Sequence, residues 1–467
     1  DDGELVLGRS EAVERVTRKA LGYDVSHTNN MQELFTAAQN ILVVGPSIFE
    51  HAPIASYWIN HSRIYRETNI IVVSTEHYPL CDRATLWLKP NPNTTSLVIQ
   101  AIASEVERMG LAAQKGAAPA VDMGMVESRT GVPADKITEA AIIFVNGVIN
   151  RGPADGSENH PGAIFHTVAH DTEPNHVVPF RIQNHDQGNY DDAADIAAAC
   201  TNLSIMTGNI GRVGGGVASF RGAANYQGTT DMGLVADTLP GGLPVTDNAA
   251  RAQLESLWLG RWADRATTSN GFVPVKKLPE TPGVLFDDLV GAINAGTIKA
   301  MWVEGGHATR QIVAHKELFE ALKKLELLIV VDAFDSPLTA IAHVVLPLAL
   351  NLEKDGTFTS FDRTVQRVRA AVPAMGEAKN VIQILSAVSQ RMGYNLEDVH
   401  PSRVMQEIAK VVPGYAGVTY ARLERGGVST PATSLAEQGA TILTANTDTI
   451  RPLQLNMLTL PVSSSAD

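Results

Sequence analysis

The sequence predicts an α/β fold built from two doubly wound, mostly parallel sheets. Short continuous apolar runs recur along the chain, helix-like stretches separate them, and glycine or acidic residues directly follow several of them. Strands that read as continuous apolar runs between helices are typical of parallel sheets covered on both faces. The chain has 467 residues, and at roughly 150 residues per domain this length predicts more than one domain.

The first sheet is predicted from three runs near the start of the chain. Residues 41–45 form an apolar strand that ends in glycine, residues 70–74 form a second strand, and residues 86–90 a third. The apolar spacing of residues 96–109 predicts an amphipathic helix after the third strand.

The second sheet is predicted from three later runs, at residues 299–303, 327–332 and 342–347. Residues 315–324 mix charged and apolar side chains as a surface helix does. We therefore predict a first α/β domain over residues 1–225, a second over residues 226–430, and a tail over residues 431–467.

The composition is that of an ordinary globular protein, with 44% hydrophobic and 19% charged residues. The net charge of −13 argues against nucleic acid or an anionic membrane as a partner. No apolar run approaches the roughly 20 residues that a spanning helix needs, and the first residues do not resemble a signal peptide. We therefore expect a cytoplasmic location.

The chain has two cysteines, Cys81 and Cys200, and neither has a CxxC neighbour. An iron–sulfur cluster usually takes four thiolates, and a structural zinc site usually takes several cysteines or histidines. We expect no iron–sulfur cluster on this chain, and we expect both cysteines to be buried small residues.

Residues 206–233 hold eight glycines interleaved with polar residues and few large apolar side chains. This composition predicts a loop rather than a packed helix or strand. Glycine permits positive φ and close backbone approach, and successive backbone N–H groups can form anion-binding concavities. The loop either binds a phosphate or a large polar cofactor, or is a surface loop that binds nothing.

Residues 151–185 are polar and proline-rich and hold five of the thirteen histidines. His166 and His170 stand four residues apart, a spacing that could place both on one metal if the segment were helical. Because nothing else there completes a metal site, a solvated, histidine-rich insertion is favoured and no metal ligand is assigned.

Polar turns follow three predicted strands, at residues 45–47, 304–306 and 332–335. In open α/β sheets, ligands bind beyond the carboxyl ends of the strands. These turns therefore mark a candidate ligand site, and the alternative is that each is only the tight turn its strand needs.

Three parts of the chain carry a family resemblance. The first comprises residues 203–217, 220–228 and 231–233, and the second comprises residues 343–347, 353–360 and 363–367. The first resembles the central segment of the molybdopterin-dependent oxidoreductases, the superfamily that includes formate dehydrogenases and dimethyl sulfoxide reductases. The second is similar to that family's ADVVLP…EKDGTFTN…GR block. The third, residues 413–424, is similar to a late segment of formate dehydrogenase α subunits. The resemblance implies two Rossmann-like domains of the formate dehydrogenase and dimethyl sulfoxide reductase type.

The resemblance also implies site residues, because in this family two pterin guanine dinucleotides hold molybdenum or tungsten between the two α/β domains. Arg221 matches an arginine that orients the substrate, and its planar donor fork suits a carboxylate; a salt-bridged structural arginine is the alternative. The implied cofactor contacts are Gly45, Gly208, Asn209, Gly211, Gly214, Gly215, Gly216, Gly222, Gly228, Gly305, Asp332, Glu353, Gly356 and Thr357.

Several features depart from the family pattern. The N-terminal iron–sulfur domain and the C-terminal β-barrel are expected to be lacking. The resemblance places a metal-ligating cysteine or selenocysteine, followed by a histidine, just upstream of residues 20–22. Residues 11–18, which stand there, contain neither a thiol nor a histidine. Ala223 and Ala224 stand where formate dehydrogenases usually have Gln-Asn, and Ser360 replaces an asparagine.

These departures favour a structural subunit similar to the G subunit of respiratory complex I, the NADH:quinone oxidoreductase, with no cofactor of its own. Its expected partners are an iron–sulfur-bearing subunit and an NADH- or flavin-bearing subunit, with membrane contact only through that complex. The alternative is a fragment or divergent α subunit of a formate dehydrogenase that binds molybdenum or tungsten through two pterin guanine dinucleotides. A third interpretation, a pterin-binding chaperone, has no feature of its own.

Overall fold

The fold is taken from a computed structural model of the chain. It describes residues 13–14, 16–21, 28–45, 52–114, 118, 120–148, 159–167, 193–220, 224–263, 277–305, 312–313, 315–392, 396, 399–436, 439–440 and 442–443.

The first sheet has five parallel strands in the order β3-β2-β1-β4-β5. They are β1 (Asn40–Val44), β2 (Asn69–Val73), β3 (Leu86–Leu88), β4 (Gly162–Thr167) and β5 (Gly216–Phe220). β1 lies at the centre, pairing Asn40 with Asn69 on one side and with Gly162 on the other. The three strands predicted in this half of the chain are confirmed.

Helices cover both faces of this sheet. On one face, α3 (Thr95–Arg108), α5 (Ala134–Asn146) and α6 (Ala193–Met206) pack on Leu42, Val44 and their neighbours. On the other face, α1 (Met31–Ala37) and α2 (Pro53–Arg66) pack on Ile41 and Val43. A short helix, α4 (Met123–Thr130), begins at Asp122, whose side chain accepts from two helix N–H groups. The doubly wound arrangement is therefore confirmed, and α3 matches the predicted helix over residues 96–109.

Two segments that the sequence predicts as loops are strands in the structure. Residues 162–167, predicted as part of a solvated polar loop, form the fully buried strand β4 next to β1. Residues 216–220, predicted as part of a glycine-rich loop, form the fully buried strand β5. Both are short, and six of their eleven residues are Gly, Ala, Ser or Thr. Their apolar signal in the sequence is therefore weak, although tertiary packing buries them completely.

The second sheet has three parallel strands in the order β10-β9-β8. They are β8 (Ala300–Glu304), β9 (Leu327–Asp332) and β10 (Val344–Pro347). One face is covered by α9 (Leu289–Asn294), α10 (Lys316–Leu322) and α11 (Pro337–Ile341), and the other by α12 (Val381–Arg391). Ser336 and Asn380 begin α11 and α12 with capping boxes. The mostly parallel α/β prediction is confirmed here as well.

A third region carries a small antiparallel sheet that the sequence analysis did not anticipate. Its strands are β11 (Gly356–Thr359), β12 (Thr364–Val368) and β13 (Val428–Ser429). A hydrophobic cluster joins it to α8 (Asn248–Ala263), α13 (Pro401–Val411), α14 (Tyr420–Leu423) and the hairpin of β6 (Thr238–Leu239) and β7 (Leu243–Pro244). The domain boundaries predicted above stay predictions.

The turn between β11 and β12 holds this region against the first sheet. Phe361 meets Phe220 of β5 edge to face, with ring centroids 5.4 Å apart. Arg363 is almost fully buried and donates to the carbonyl oxygens of Thr28, Thr430 and Ala440. The antiparallel sheet therefore contacts the end of β5, beyond which Arg221 follows in the sequence.

None of the helices in these described ranges is long and apolar enough to cross a membrane. Cys81 and Cys200 are both buried within the hydrophobic clusters of the first sheet, as predicted. Burial raises the pKa of the Cys81 thiol.

Candidate functional site

The carboxyl ends of β1 and β4 meet at the point where the strand order of the first sheet reverses. The chain proceeds from β1 to β2 and β3 on one side, and then to β4 and β5 on the other. Such a reversal is the usual ligand crevice of an open α/β sheet. Gly45, directly after β1, has φ of +100° and donates its N–H to Val73 O at 2.9 Å. A Cβ at Gly45 would lie 2.8 Å from Thr167 Oγ1, so only glycine lets the two strand ends approach this closely.

Two buried hydroxyls lie at this edge without a hydrogen-bond partner in the described part of the chain, Thr167 Oγ1 and Ser219 Oγ. They point to opposite faces, because Ser219 pairs with His166, the residue before Thr167. An unsatisfied buried hydroxyl costs about 1–3 kcal/mol. A polar ligand along this edge could satisfy each hydroxyl separately.

The second sheet presents a glycine and a carboxylate at its own carboxyl edge. Gly305, after β8, has φ of +92° and donates its N–H to Val331 O at 2.9 Å. A Cβ at Gly305 would meet no atom of the described residues within 4 Å. Asp332 ends β9 and is 5% exposed; its Oδ1 accepts from the N–H groups of Ala333 (2.6 Å) and Phe334 (3.2 Å).

These bonds fix the Asp332 carboxylate at the strand end, while a carboxylate has further acceptor capacity. In dinucleotide-binding sheets, an acidic residue at a comparable position accepts from ribose hydroxyls. The structure therefore brings Gly305 and Asp332 together in an arrangement that suits a nucleotide.

The late-block residues follow β10 directly. Leu348 donates its N–H to Asp332 O at 3.1 Å, which ties this segment to the end of β9. Glu353 accepts from the Leu350 N–H at 2.8 Å and thereby closes a turn, so part of its carboxylate is engaged locally. Gly356 and Thr357 begin β11 and pair with Val368 and Arg367.

The glycine segment before β5 lies elsewhere, at the amino edge of the first sheet. Asn209 Oδ1 accepts from the N–H of Gly162, the first residue of β4, at 3.0 Å. A Cβ at Gly214 would lie 2.4 Å from the carbonyl carbon of Ala37, and one at Gly216 would lie 2.1 Å from Thr28 Oγ1. The structure thus separates one group of predicted cofactor residues from the carboxyl edges: Gly208, Asn209, Gly211, Gly214, Gly215 and Gly216.

The cofactor contacts predicted for that group stay predictions, and the described geometry gives these residues packing roles. Gly208, Gly211, Gly214 and Gly216 all have positive φ. The glycine content of the sequence predicts positive φ angles and close backbone contacts. It does not show whether they lie at the amino end or the carboxyl end of a strand.

Gly228 lies in α7 (Tyr226–Asp231), where the helix meets β11. A Cβ there would lie 2.3 Å from Asn225 Oδ1, which itself accepts from the Thr359 N–H at 2.8 Å. Arg221 and Gly222 lie outside the described residues. In the sequence they lie between β5 and Asn225. The hydrogen bond from Thr359 to Asn225 connects that residue to the antiparallel sheet.

A buried polar network supports the same junction and was missed by the sequence analysis. The Tyr415 hydroxyl donates to Asp231 Oδ2 at 2.5 Å and lies 2.9 Å from Thr359 Oγ1. Burial, followed by the adjacent Asp231 charge, raises the pKa of Tyr415 well above its usual value. Tyr415 therefore stays protonated and links α7 to β11.

Among the residues that the structure describes, no three His, Cys, Asp or Glu side chains form a group that could hold a metal ion. His166 lies in a strand and not in a helix, so its spacing to His170 does not have the helical meaning considered above. His170 lies outside the described residues.

A family model, molybdopterin oxidoreductase, matches residues 9–391 of the chain. The probable oxidoreductase YjgC of Bacillus subtilis is 28% identical over 401 residues, covering 83% of this chain and 36% of that protein. The alpha subunit of formate dehydrogenase 1 of Methanococcus maripaludis is 28% identical over 443 residues, covering 89% and 56%. A putative formate dehydrogenase of Staphylococcus haemolyticus is 34% identical over 234 residues, covering 50% and 22%.

Among solved structures, acetylene hydratase from Pelobacter acetylenicus is similar with a TM-score of 0.56. The match covers 92% of this chain and 56% of that one at 16% identity, so it shows the fold alone. The chain spans less than two thirds of the length of each of these relatives. Since the family model matches most of the sequence, the chain belongs to the molybdopterin oxidoreductase family.

Proposed function

We propose that this chain is the cofactor-holding α/β part of a molybdenum or tungsten oxidoreductase related to the formate dehydrogenases. The observation that carries the proposal concerns the carboxyl edges of the two parallel sheets. Each edge has a glycine with positive φ and a polar side chain beside it. Gly45 and Thr167 form one such pair and Gly305 and Asp332 the other. Two relatives named as formate dehydrogenases support this choice of activity.

The residues present fit a pterin dinucleotide in three respects. The buried hydroxyls of Thr167 and Ser219 have no hydrogen-bond partner among the residues that the structure describes. Within the same described residues, no atom would lie within 4 Å of a Cβ at Gly305. The Asp332 carboxylate is fixed by two backbone N–H groups and can accept further hydrogen bonds from ribose or amine donors.

The bound metal would exchange electrons with the substrate, and the protein would bind and orient both cofactor and substrate. In this proposal Arg221 orients a carboxylate substrate such as formate through its two parallel donors. Asn225, Thr359, Tyr415 and Asp231 hold the backbone just after Arg221, as positioning residues.

The same proposal covers domain organisation and partners. The first and second α/β domains would span residues 1–225 and 226–430, with the cofactor between them. One relative is named as a subunit alpha, and we propose that this chain likewise works with further oxidoreductase subunits, including one that carries iron–sulfur clusters.

The second candidate is the complex I-like scaffold that the sequence analysis favours. The placement of Cys81 and Cys200 in hydrophobic clusters supports it, because neither thiol is available as a metal ligand there. We rank it second, because the relatives reported above are named as formate dehydrogenases or as a probable oxidoreductase.

A matched pair of glycine variants tests the proposal. Gly305→Ala adds a methyl group at the carboxyl edge, whereas Gly296→Ala adds one at the amino edge of the same sheet. Both glycines have positive φ, and in the described part of the chain no atom lies within 4 Å of a Cβ at either. Each variant should lose about 1–2 kcal/mol of stability from the backbone conformation alone. We expect Gly305→Ala to lower pterin content, measured by fluorescence after oxidation, at least fivefold relative to Gly296→Ala. Equal pterin contents in the two variants would contradict the proposed site.

A further inference from the structure

Five aromatic rings form one row through the core of the first sheet, and the row ends beside the candidate site. Phe35 of α1 stacks on Phe165 of β4, with ring centroids 5.6 Å apart and ring planes 5° apart. Phe165 stacks in turn on Phe220 of β5, at 5.7 Å and 10°. Trp58 of α2 lies at one end of the row, 6.3 Å from Phe35. Phe361, in the turn between β11 and β12, lies at the other end, 5.4 Å from Phe220. We call these five residues the aromatic row.

The row contacts β4 and β5 just before their candidate site residues. Phe165 comes two residues before Thr167, and Phe220 comes directly before Arg221. Thr167 and Phe220 are cross-strand partners, so their side chains leave the sheet side by side on the face that α1 and α2 cover. Phe165 and Phe220 are at most 4% exposed. A shift of either strand end would therefore break ring contacts inside the core.

The Phe220 ring is held from two sides. It is nearly parallel to the Phe165 ring, at 10°, and meets the Phe361 ring edge to face, at 73°. Both are preferred geometries for aromatic pairs. Because the two neighbouring rings belong to different sheets, the end of β5 is fixed by the first sheet and by the antiparallel sheet together.

The turn between β11 and β12 also makes the next contact along the chain. Thr359, the last residue of β11, donates its N–H to Asn225 Oδ1 at 2.8 Å. Phe361, two residues later, contacts Phe220. In the sequence only residues 221–224 lie between Phe220 and Asn225. Both residues that flank the segment containing Arg221 are therefore attached to the same turn.

We infer that Phe220 and Phe361 are positioning residues for Arg221. Their ring contact fixes the backbone before Arg221, as the bond between Thr359 and Asn225 fixes the backbone after it. The inference rests on the proposed function, in which Arg221 orients a carboxylate substrate. An arginine presented from a fixed backbone loses less conformational entropy when it binds a carboxylate through two parallel donors. Loss of the ring contact therefore weakens substrate binding more than it slows the reaction of bound substrate.

Leucine variants of the full-length protein, purified from the cells that make it, test this inference. Phe220→Leu and Phe361→Leu keep an apolar side chain and remove a ring, and a double variant removes both rings. Phe144→Leu is the control for the loss of a buried ring, because Phe144 is fully buried on the other face of the same sheet. Phe220→Tyr keeps the ring and is the conservative variant.

We expect Phe220→Leu to raise the KM for formate at least about tenfold and to change kcat less than about threefold. Phe220→Tyr and Phe144→Leu should each keep KM within about threefold of the unaltered protein. The double variant should raise KM no further than Phe220→Leu does, because the contact between the two rings is already lost in the single variants. The inference is overturned if KM rises equally in Phe220→Leu and Phe144→Leu, if Phe220→Tyr does not preserve KM, or if the two leucine changes multiply in the double variant.

Hydrogen exchange measured by mass spectrometry separates this inference from the proposed function. The amides of residues 221–225 should exchange at least about tenfold faster in Phe220→Leu than in Phe144→Leu, with or without formate. Equal exchange rates in the two variants would overturn the inference even if the unaltered protein contains pterin and oxidises formate. Protein that lacks pterin or formate oxidation would instead contradict the proposed function, and the exchange rates would still decide whether the ring contact fixes this segment.

Discussion

Arg363 shows how a single side chain joins three distant segments. It is less than 2% exposed, yet its guanidinium donates to the carbonyl oxygens of Thr28, Thr430 and Ala440. A buried charge is tolerated only where its donors are satisfied. Arg363 also has φ of +64°, an uncommon conformation for a residue with a side chain.

We expect Arg363→Met to destabilise the protein by about 3–5 kcal/mol, because it removes the hydrogen bonds of a buried guanidinium to the carbonyl oxygens of Thr28, Thr430 and Ala440. The control is Arg369→Met, since Arg369 is exposed and its ion pair with Glu424 is of the kind worth about 0–1 kcal/mol. Urea unfolding of both variants checks this. A midpoint for Arg363→Met no lower than that of Arg369→Met would show that Arg363 does not hold the segments together.

Tyr415 predicts an alkaline limit to stability. Its pKa in the folded protein is raised, chiefly by burial and then by Asp231, whereas an unfolded tyrosine titrates near its ordinary pKa of about 10. Above that pH the unfolded state loses a proton that the folded state keeps, so stability falls as pH rises.

The Tyr415→Phe variant should therefore have a shallower decline of unfolding free energy above about pH 10, by up to about 1.4 kcal/mol per pH unit. Urea unfolding at a series of alkaline pH values measures that slope. An unchanged slope would mean that the buried hydroxyl ionises as readily in the folded state as in the unfolded one.

At the scale of elements, the glycine segment before β5 is a packing device. Gly214 and Gly242 have nearly the same φ, +73° and +72°. A Cβ at Gly214 would meet the backbone of Ala37 at 2.4 Å, whereas one at Gly242 would meet no atom within 4 Å among the residues that the structure describes. Alanine at Gly242 therefore measures the cost of positive φ alone, whereas alanine at Gly214 adds the cost of a clash with the backbone.

We expect Gly242→Ala to cost about 1–2 kcal/mol and Gly214→Ala to cost at least about 2 kcal/mol more, because α1 or β5 must shift. Thermal unfolding of the two variants decides it. Equal melting temperatures would show that the segment yields easily and that its glycines are not needed for packing.

The elements that the sequence predicted well are those with long β-branched or amphipathic runs. Residues 41–45, 70–74 and 327–332 were readable because Ile, Val and Leu fill both faces of a buried parallel strand. β4 and β5 were missed because their small and polar residues are buried by neighbouring strands and helices, which no local pattern records. The antiparallel sheet was missed because its strands are short and its third strand comes from far along the chain.

At the scale of the whole molecule, the fold shows which residues of the candidate site could be predicted from the sequence. Gly45, Gly305 and Asp332 stand at the ends of readable strands, so their place at the carboxyl edges follows from the sequence. Thr167 and Ser219 could not be identified as candidates once their strands were taken for loops. Asp231 and Tyr415 meet only because distant segments fold together.

At this scale the central claim is that the two carboxyl edges hold a pterin-bound metal. The most direct test is the molybdenum and tungsten content per chain, measured by elemental mass spectrometry on the full-length protein purified from the cells that make it. The proposal predicts near-stoichiometric metal together with pterin in the same sample. Well-folded protein with neither metal nor pterin would contradict it and would favour the scaffold interpretation.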